Sequence, residues 1–426
     1  MNGVLCNIEN KAAGHVRCTG LSRRSAPVLL LLVVFACFCS HVFAQHTITW
    51  WTNDGAGGNS AGGVYSLIGV AGQPDSGNIS GGTNVVQGGF LGGFVPNSPS
   101  KIANYIFAST AEGWTFAGQI PSYSLPGASS SGGHLALNPL GSTNAFSYWY
   151  SPEIAISNNK LYRSSWLLGS SSADANKTVQ SRLRVNQVGS WQAWARGINS
   201  NNSRAPSAGK SVWYDVYFNP NVTGTADDGI LLNFDIMSFD PNDNASSSLY
   251  LEEVYIEEVF ATGGTDIKNY TFAAGAEGWT FAGTIPPYTA PASGTPAGFL
   301  AMNPTGSTNC FSFWGSPDVT VGSNKKYRAI FKVSSSVASA NDSVQFRIRC
   351  NQKGSWQSWE RTVNSNNNQG AYTTPKDYQL IIDVPIESYD NLFTFAFDLM
   401  SFDSADNTYS TLYLDNMLLE EVSINP

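Results

Sequence analysis

Residues Arg182 to Trp194 read RLRVNQVGSWQAW, and residues Arg347 to Trp359 read RIRCNQKGSWQSW, an offset of 165 positions. The same offset joins Trp114 to Trp279, Asn138 to Asn303 and Trp149 to Trp314. A solenoid unit is roughly 20 to 50 residues long; this repeat is far longer, so each copy can enclose a core of its own. Duplication therefore sets the plan of the chain: one copy over residues 102–260, a second over 266–424, and Ala261-Thr262-Gly263-Gly264-Thr265 between them as a short tether. Further on, Asp240 matches Asp403 at an offset of 163, which places a two-residue indel in between, after the Asn199–Asn202 loop.

Within each copy short alternating segments are punctuated by Gly, Ser, Asn and Pro clusters, and no long stretch holds a helical apolar period. The expected fold class is all-β, with two tandem β-sandwiches. Alternation is cleanest at Val344, Phe346, Ile348 and Cys350, which point one way while Gln345, Arg347 and Arg349 point the other. Blocks kept by both copies include Glu112-Gly113-Trp114 with Glu277-Gly278-Trp279, and Phe146 and Trp149 with Phe311 and Trp314. Trp114 and Trp279 are assigned to the cores.

Residues 1–44 read as a signal peptide: Arg23 and Arg24 supply a basic end, Pro27 to Phe38 an apolar run, and Val42-Phe43-Ala44 small residues for cleavage. About 12 apolar residues fall short of the roughly 20 that span a bilayer, and no second apolar run follows, so no transmembrane segment is expected in the mature chain. The expected location is secreted, extracellular or at the cell surface, with the periplasm as the alternative. Residues 46–96 form a Gly-rich module of short strands and tight turns, marked by Val64 to Ile68 and by Gly72-Gln73-Pro74-Asp75-Ser76-Gly77. This module resembles the GQPDxG…SGG…GGF segment of secreted bacterial proteins. Pro96-Asn97-Ser98-Pro99-Ser100 reads as a linker.

The chain carries a net charge of −8, and the leader accounts for four of its cations (Lys11, Arg17, Arg23, Arg24) against one acid (Glu9). With no basic stripe to offset this, a nucleic-acid partner is excluded on electrostatic grounds. Enzyme signals are poor. Beyond the leader only His46 and His134 remain, and no metalloprotease, nucleophile-elbow or phosphate-loop motif is present, so the reading is non-catalytic. A pair of carboxylates such as Glu112 and Glu277 keeps a polysaccharide-active enzyme open as an alternative, although Glu before Gly-Trp also suits a turn.

Two constellations could carry binding. Asp235, Asp240 and Asp243 recur as Asp398, Asp403 and Asp406 in a repeated FDxMSFDxxDN, hard oxygen donors of the type calcium takes. An Asx-rich turn explains the same residues, and the spacing is not that of an EF-hand. The second constellation mixes aromatic with amide and guanidinium side chains, the set that meets the C–H faces and hydroxyls of sugars. The candidate ligand-binding residues are Arg184, Asn186, Gln187, Trp191, Gln192 and Trp194, with Arg349, Asn351, Gln352, Trp356, Gln357 and Trp359. Two Trp three apart on a strand face opposite sides, one to the core and one to stack on ligand. Burial of both is the competing reading.

The opening EGW and the closing Leu249-Tyr250-Leu251-Glu252 and Leu412-Tyr413-Leu414-Asp415 resemble the jelly-roll carbohydrate-binding modules of the galactose-binding-like superfamily. That resemblance implies two tandem jelly-roll β-sandwiches, a polysaccharide or cell-surface glycan as partner, and structural Ca2+ near the closing acid. Asp415 matches the family there, whereas Glu252 departs from it. A structural or adhesive surface protein is the other class consistent with these domains. After the leader, Cys310 and Cys350 remain, where the first copy has Ala145 and Val185. Two cysteines gained by one copy of an exported protein are expected to touch and to form a disulfide, with two buried free thiols as the alternative.

Overall fold

A computed structural model describes residues 101–425 apart from 119–132, 139–144, 200–204, 239–246, 274, 284–297, 303–309, 356, 384–388 and 402–409, and within residues 1–100 the backbone of seven strands. The chain divides into two units, residues 1–100 and 101–425. In the first, β1 (Leu5–Ile8) and β2 (Val16–Thr19) pair within residues 1–44, which the sequence reads as a signal peptide. The apolar run from Pro27 to Phe38 lies outside the described residues. The Gly-rich module is a five-stranded antiparallel meander of β3 (Ala56–Gly62), β4 (Tyr65–Ala71), β5 (Ile79–Gly81), β6 (Asn84–Val86) and β7 (Phe94–Pro96).

In the second unit, repeat 1 contributes β8 (Ala103–Tyr105), β9 (Thr115–Gly118), β10 (Leu135–Leu137), β11 (Ala145–Tyr150), β12 (Ile154–Ala155), β13 (Leu161–Ser170), β14 (Ser181–Gln187), β15 (Ala193–Ile198), β16 (Val212–Phe218), β17 (Gly229–Ser238) and the start of β18 (Leu249–Tyr270). Repeat 2 repeats the order with β19 (Thr280–Gly283), β20 (Leu300–Met302), β21 (Cys310–Gly315), β22 (Val319–Thr320), β23 (Lys326–Ser335), β24 (Phe346–Gln352), β25 (Ser358–Val363), β26 (Lys376–Asp383), β27 (Leu392–Ser401) and β28 (Leu412–Asn425). Every named pairing is antiparallel, and each repeat is a β-sandwich closed by its own apolar cluster. Period-two alternation builds these cores: in β14 Leu183 and Val185 are buried between Arg182, Arg184 and Asn186, and β24 follows suit. Trp114 and Trp279 are buried, each edge-on to neighbouring aromatic rings.

The repeats are fused rather than tethered. In one layer β15 pairs with β25, so the order β9-β11-β17-β14-β15 continues as β25-β24-β27-β21-β19 in one twelve-stranded sheet. In the other, β18 runs the full 22 residues from Leu249 to Tyr270. Its first part pairs with β13, its middle (Phe260–Thr262) with the end of β28, and its last part opens repeat 2 on β28. The five residues between the copies are therefore strand. The register shift after Thr262 falls at Gly263, whose φ of +74° needs glycine, as a β-bulge of this kind does.

The seam has its own chemistry. Arg196 lies over Tyr214 of its own repeat and over Trp359 of the other, at 4.9 and 5.2 Å. Its counterpart Arg361 lies over Tyr378 and over Trp194, at 5.2 and 5.1 Å. Desolvation by burial lowers the pKa of both guanidinium groups, that of Arg361 to about 10. Amides cross in the same reciprocal way: Gln192 Nε2 donates to Asn364 O, and Gln357 Nε2 to Asn199 O. Behind them Tyr217, Val259 and Ile381 form a small apolar cluster shared by the copies.

The expected Cys310–Cys350 disulfide is corrected. Cys310 on β21 is opposite Ser401 of β27, whereas Cys350 on β24 is opposite Phe395 of the same strand, on its other side. Six residues of β27 separate these levels, roughly 20 Å at about 3.3 Å per residue, against the roughly 4.4–6.8 Å between Cα atoms that a disulfide spans. Cys350 is a free thiol, fully buried in the repeat 2 core, and desolvation pushes its pKa well above the ordinary value.

Candidate functional site

The outward face of the twelve-stranded sheet gathers what the inward face cannot use. On β14, Arg182, Arg184 and Asn186 alternate with core residues and point outward. Register sets Arg182 opposite Asp235 of β17 and Asp235 opposite Tyr148 of β11; it also sets Arg184 opposite Asn233, and Asn233 opposite Tyr150. Directly opposed residues share a face, so these six side chains form one patch. Arg182 donates from Nε and Nη2 to Asp235 Oδ2 at 3.2 and 3.0 Å, and Arg184 Nη2 is 3.0 Å from the same oxygen. Asn186 Nδ2 donates to Asn233 Oδ1 at 2.9 Å.

Beside this polar group runs an aromatic ladder. β11 is AFSYWY, so Trp149 faces the core while Phe146, Tyr148 and Tyr150 line the outer face. Their ring centroids are 6.0 and 5.9 Å apart, and Phe146 is 43% exposed. Flat rings at regular spacing beside amide and guanidinium donors suit a ligand that has apolar faces and polar edges.

Repeat 2 carries the same plan in altered form. Arg347 donates to Asp398 Oδ2 from Nε and Nη2, at 2.9 and 2.7 Å, and from Nη1 to Glu360 at 3.1 Å. Arg349 Nη2 is 3.2 Å from Asp398 Oδ2. Register places Phe313 opposite Asp398 and Gly315 opposite Ala396, where repeat 1 has Tyr148 and Tyr150 with Asn233. At the seam, Ala193, Ala195 and Gly197 of β15 are opposite Thr362, Glu360 and Ser358 of β25.

The residues anticipated from sequence divide by direction. Arg184, Asn186, Arg349 and Asn351 are half-buried on the outer face. Gln187, Gln192, Gln352 and Gln357 face inward, and each spends its amide nitrogen on backbone carbonyls: Gln187 on Asn221 and Asp227, Gln192 on Ser190 and Asn364, Gln352 on Asp390, and Gln357 on Asn199. They close the hairpins and the seam. Trp194 and Trp359 are 1% and 3% exposed and serve as the ring partners of the seam arginines. Trp191 is 60% exposed in the turn after β14, with φ of +55°. Trp356 lies outside the described residues.

The anticipated calcium ligands do not fit a divalent cation where they are described. Asp235 and Asp398 are each counter-ion to two arginines, and a further positive charge there would be repelled. Asp415 accepts from Ser334 Oγ at 2.7 Å, with its pKa raised by desolvation. Asp240, Asp243, Asp403 and Asp406 lie outside the described residues, and among those described no group of three acids, His or Cys converges. Glu112 and Glu277 brace their loops: Glu112 accepts the Ile106 N–H, and Glu277 the Thr271 hydroxyl, both at 3.2 Å. No helix among the described residues is long and apolar enough to cross a membrane.

Comparison with protein-family models and with curated proteins gives no match. Among solved structures, the tandem CBM22-1–CBM22-2 domains of Paenibacillus barcinonensis Xyn10C align at 13% identity and a TM-score of 0.27, over 76% of this chain and 97% of that one. The N-terminal cellulose-binding domain of Cellulomonas fimi β-1,4-glucanase C aligns at 18% and 0.24, over 38% and 96%. The ANX1 ectodomain of Arabidopsis thaliana aligns at 12% and 0.24, over 65% and 83%. At such scores the weight of any functional reading falls on the site itself.

Proposed function

We propose that the protein is an exported, non-catalytic polysaccharide-binding protein, and that its ligand lies on the outward face of the twelve-stranded sheet in repeat 1. The observation that carries this reading is the Phe146–Tyr148–Tyr150 ladder beside Arg182, Arg184, Asn186 and Asn233. Pyranose rings present C–H faces that stack on aromatics and hydroxyls that hydrogen-bond to amides and guanidinium groups. One exposed and two half-buried rings on the outer face of a sheet are hard to explain by folding alone, because their area is not buried in the core.

The test is the Tyr148→Ala/Tyr150→Ala variant in affinity electrophoresis through gels containing soluble polysaccharides, with far-UV circular dichroism as the folding control. Large rings at a binding interface contribute at least about 1 kcal/mol each, so retention should fall roughly ten-fold or more. A folded double variant that is retained as strongly as the parent would refute the reading and leave the sandwiches as spacers.

A further inference from the structure

Charge on the two halves of this face is unequal. In repeat 1 both Arg182 and Arg184 bear on Asp235 alone, so among the described residues two cations share one anion. In repeat 2 the equivalent Arg347 and Arg349 have two anions, Asp398 and Glu360. The difference is one position: Glu360 stands where repeat 1 has Ala195, and the two are cross-strand partners at the seam.

The surplus in repeat 1 is held in a costly place. Asp235 is fully buried and Arg184 keeps only about a quarter of its side-chain surface. Desolvation is the main cause of the lowered Arg184 pKa, and Arg182 adds to it. Arg184 Nε is buried without a hydrogen-bond partner, as is Arg349 Nε in repeat 2, so the two halves differ in charge balance and not in this donor. A half-dehydrated cation that shares its one counter-ion with a second cation is stabilised by an incoming anion more than a surface lysine would be, because guanidinium offers a planar fork to oxyanions. The aromatic ladder adjoins this surplus, whereas the neutral half has Gly315 in place of Tyr150.

Resting on the polysaccharide reading above, we infer that repeat 1 takes an anionic polysaccharide, with a carboxylate or sulfate of one sugar unit on the Arg182–Arg184 pair and sugar rings on Tyr148 and Tyr150. Among the described residues the equivalent group of repeat 2 is electrically neutral and gives no such preference. The chain's overall −8 makes the preference local, so net attraction cannot imitate it.

The experiment measures affinity of the full chain for polygalacturonate and dextran sulfate, and for neutral xylan and dextran, by calorimetry at about 20 and about 500 mM NaCl. At least one charged polymer should bind roughly ten-fold or more tightly than both neutral ones at low salt, and lose that advantage at high salt. Which charged polymer wins identifies the acid group. The decisive variant is Ala195→Glu/Glu360→Ala, which moves one carboxylate across the seam without changing net charge; the same strand position already carries Glu in the other copy. It should reduce polyanion binding roughly ten-fold, and Arg184→Gln should weaken polyanion binding roughly ten-fold more than it weakens binding of neutral polymers. Equal binding of charged and neutral polymers, or a relocated carboxylate without effect, overturns the inference while the polysaccharide reading stands. Binding of none of the four overturns both.

Discussion

Removing Arg361 together with its ring partner measures whether the two repeats are one energetic unit. Burial lowers the guanidinium pKa from its ordinary value to about 10, so keeping it charged in the seam costs about 3 kcal/mol at about 1.4 kcal/mol per pH unit. Against this stand Trp194 and Tyr378, 5.1 and 5.2 Å from the cation, each contributing up to about 2 kcal/mol when desolvated, and the Nη1 hydrogen bond to Asn219 at 3.2 Å. The terms nearly cancel, so Arg361→Met should change stability by only about 1 kcal/mol. Trp194→Leu alone should cost about 3 kcal/mol, because it removes core area and leaves a buried cation with one ring fewer. In the double variant that cation is gone, and the two losses should fall short of additivity by about 1–2 kcal/mol. Urea unfolding of the four proteins, followed by far-UV circular dichroism, gives the cycle. A coupling below about 0.5 kcal/mol, or two separate transitions in the parent chain, would refute the view that the seam binds the repeats into one cooperative body.

Cys350 should ignore iodoacetamide in the folded protein and react once the chain is denatured without reductant; resistance after denaturation would restore the disulfide that the strand register excludes. Trp191 holds a left-handed φ of +55°, which Asn tolerates better than a bulky side chain does. Trp191→Asn should therefore raise stability by about 1 kcal/mol in the same urea assay, and a loss instead would mean that the ring packs usefully in its turn.

Copy comparison recovered what both copies need, which is the fold. The alternation of β14 and β24, the all-β class and the buried Trp114 and Trp279 were legible because period-two burial is a local property, written in neighbouring residues. The seam was not, because Arg196 and Arg361 look like ordinary outward charges on a strand until β15 meets β25, a pairing across more than 160 positions. Residues retained by both copies include Trp194 and Gln192, which are buried at the seam, whereas Tyr148 and Tyr150 of repeat 1 are Phe313 and Gly315 in repeat 2. The ladder itself was visible in AFSYWY as aromatic residues at every second position. Cysteine failed for a related reason, since two positions that change in one copy need not lie near each other.

Fusion also alters what duplication can do for binding. Two modules on a flexible linker gain avidity because the second site searches a volume set by the linker. Here the linker residues are part of β18 and the sheet is continuous through β15 and β25, so no such search exists. A second site on this face stands at a fixed distance and angle from the first and can be engaged only by a ligand whose own geometry matches. Under that constraint the copies are free to differ, and they do: repeat 2 has Gly315 where repeat 1 has Tyr150, Ala396 where it has Asn233, and Glu360 where it has Ala195. On the proposed function each alters the binding face or neutralises a cation there, while the residues that hold the seam, Arg361 with Trp359 and Gln357, are kept in mirror image. On the proposed function, the two copies share the fold and the seam, and the binding chemistry belongs to the first.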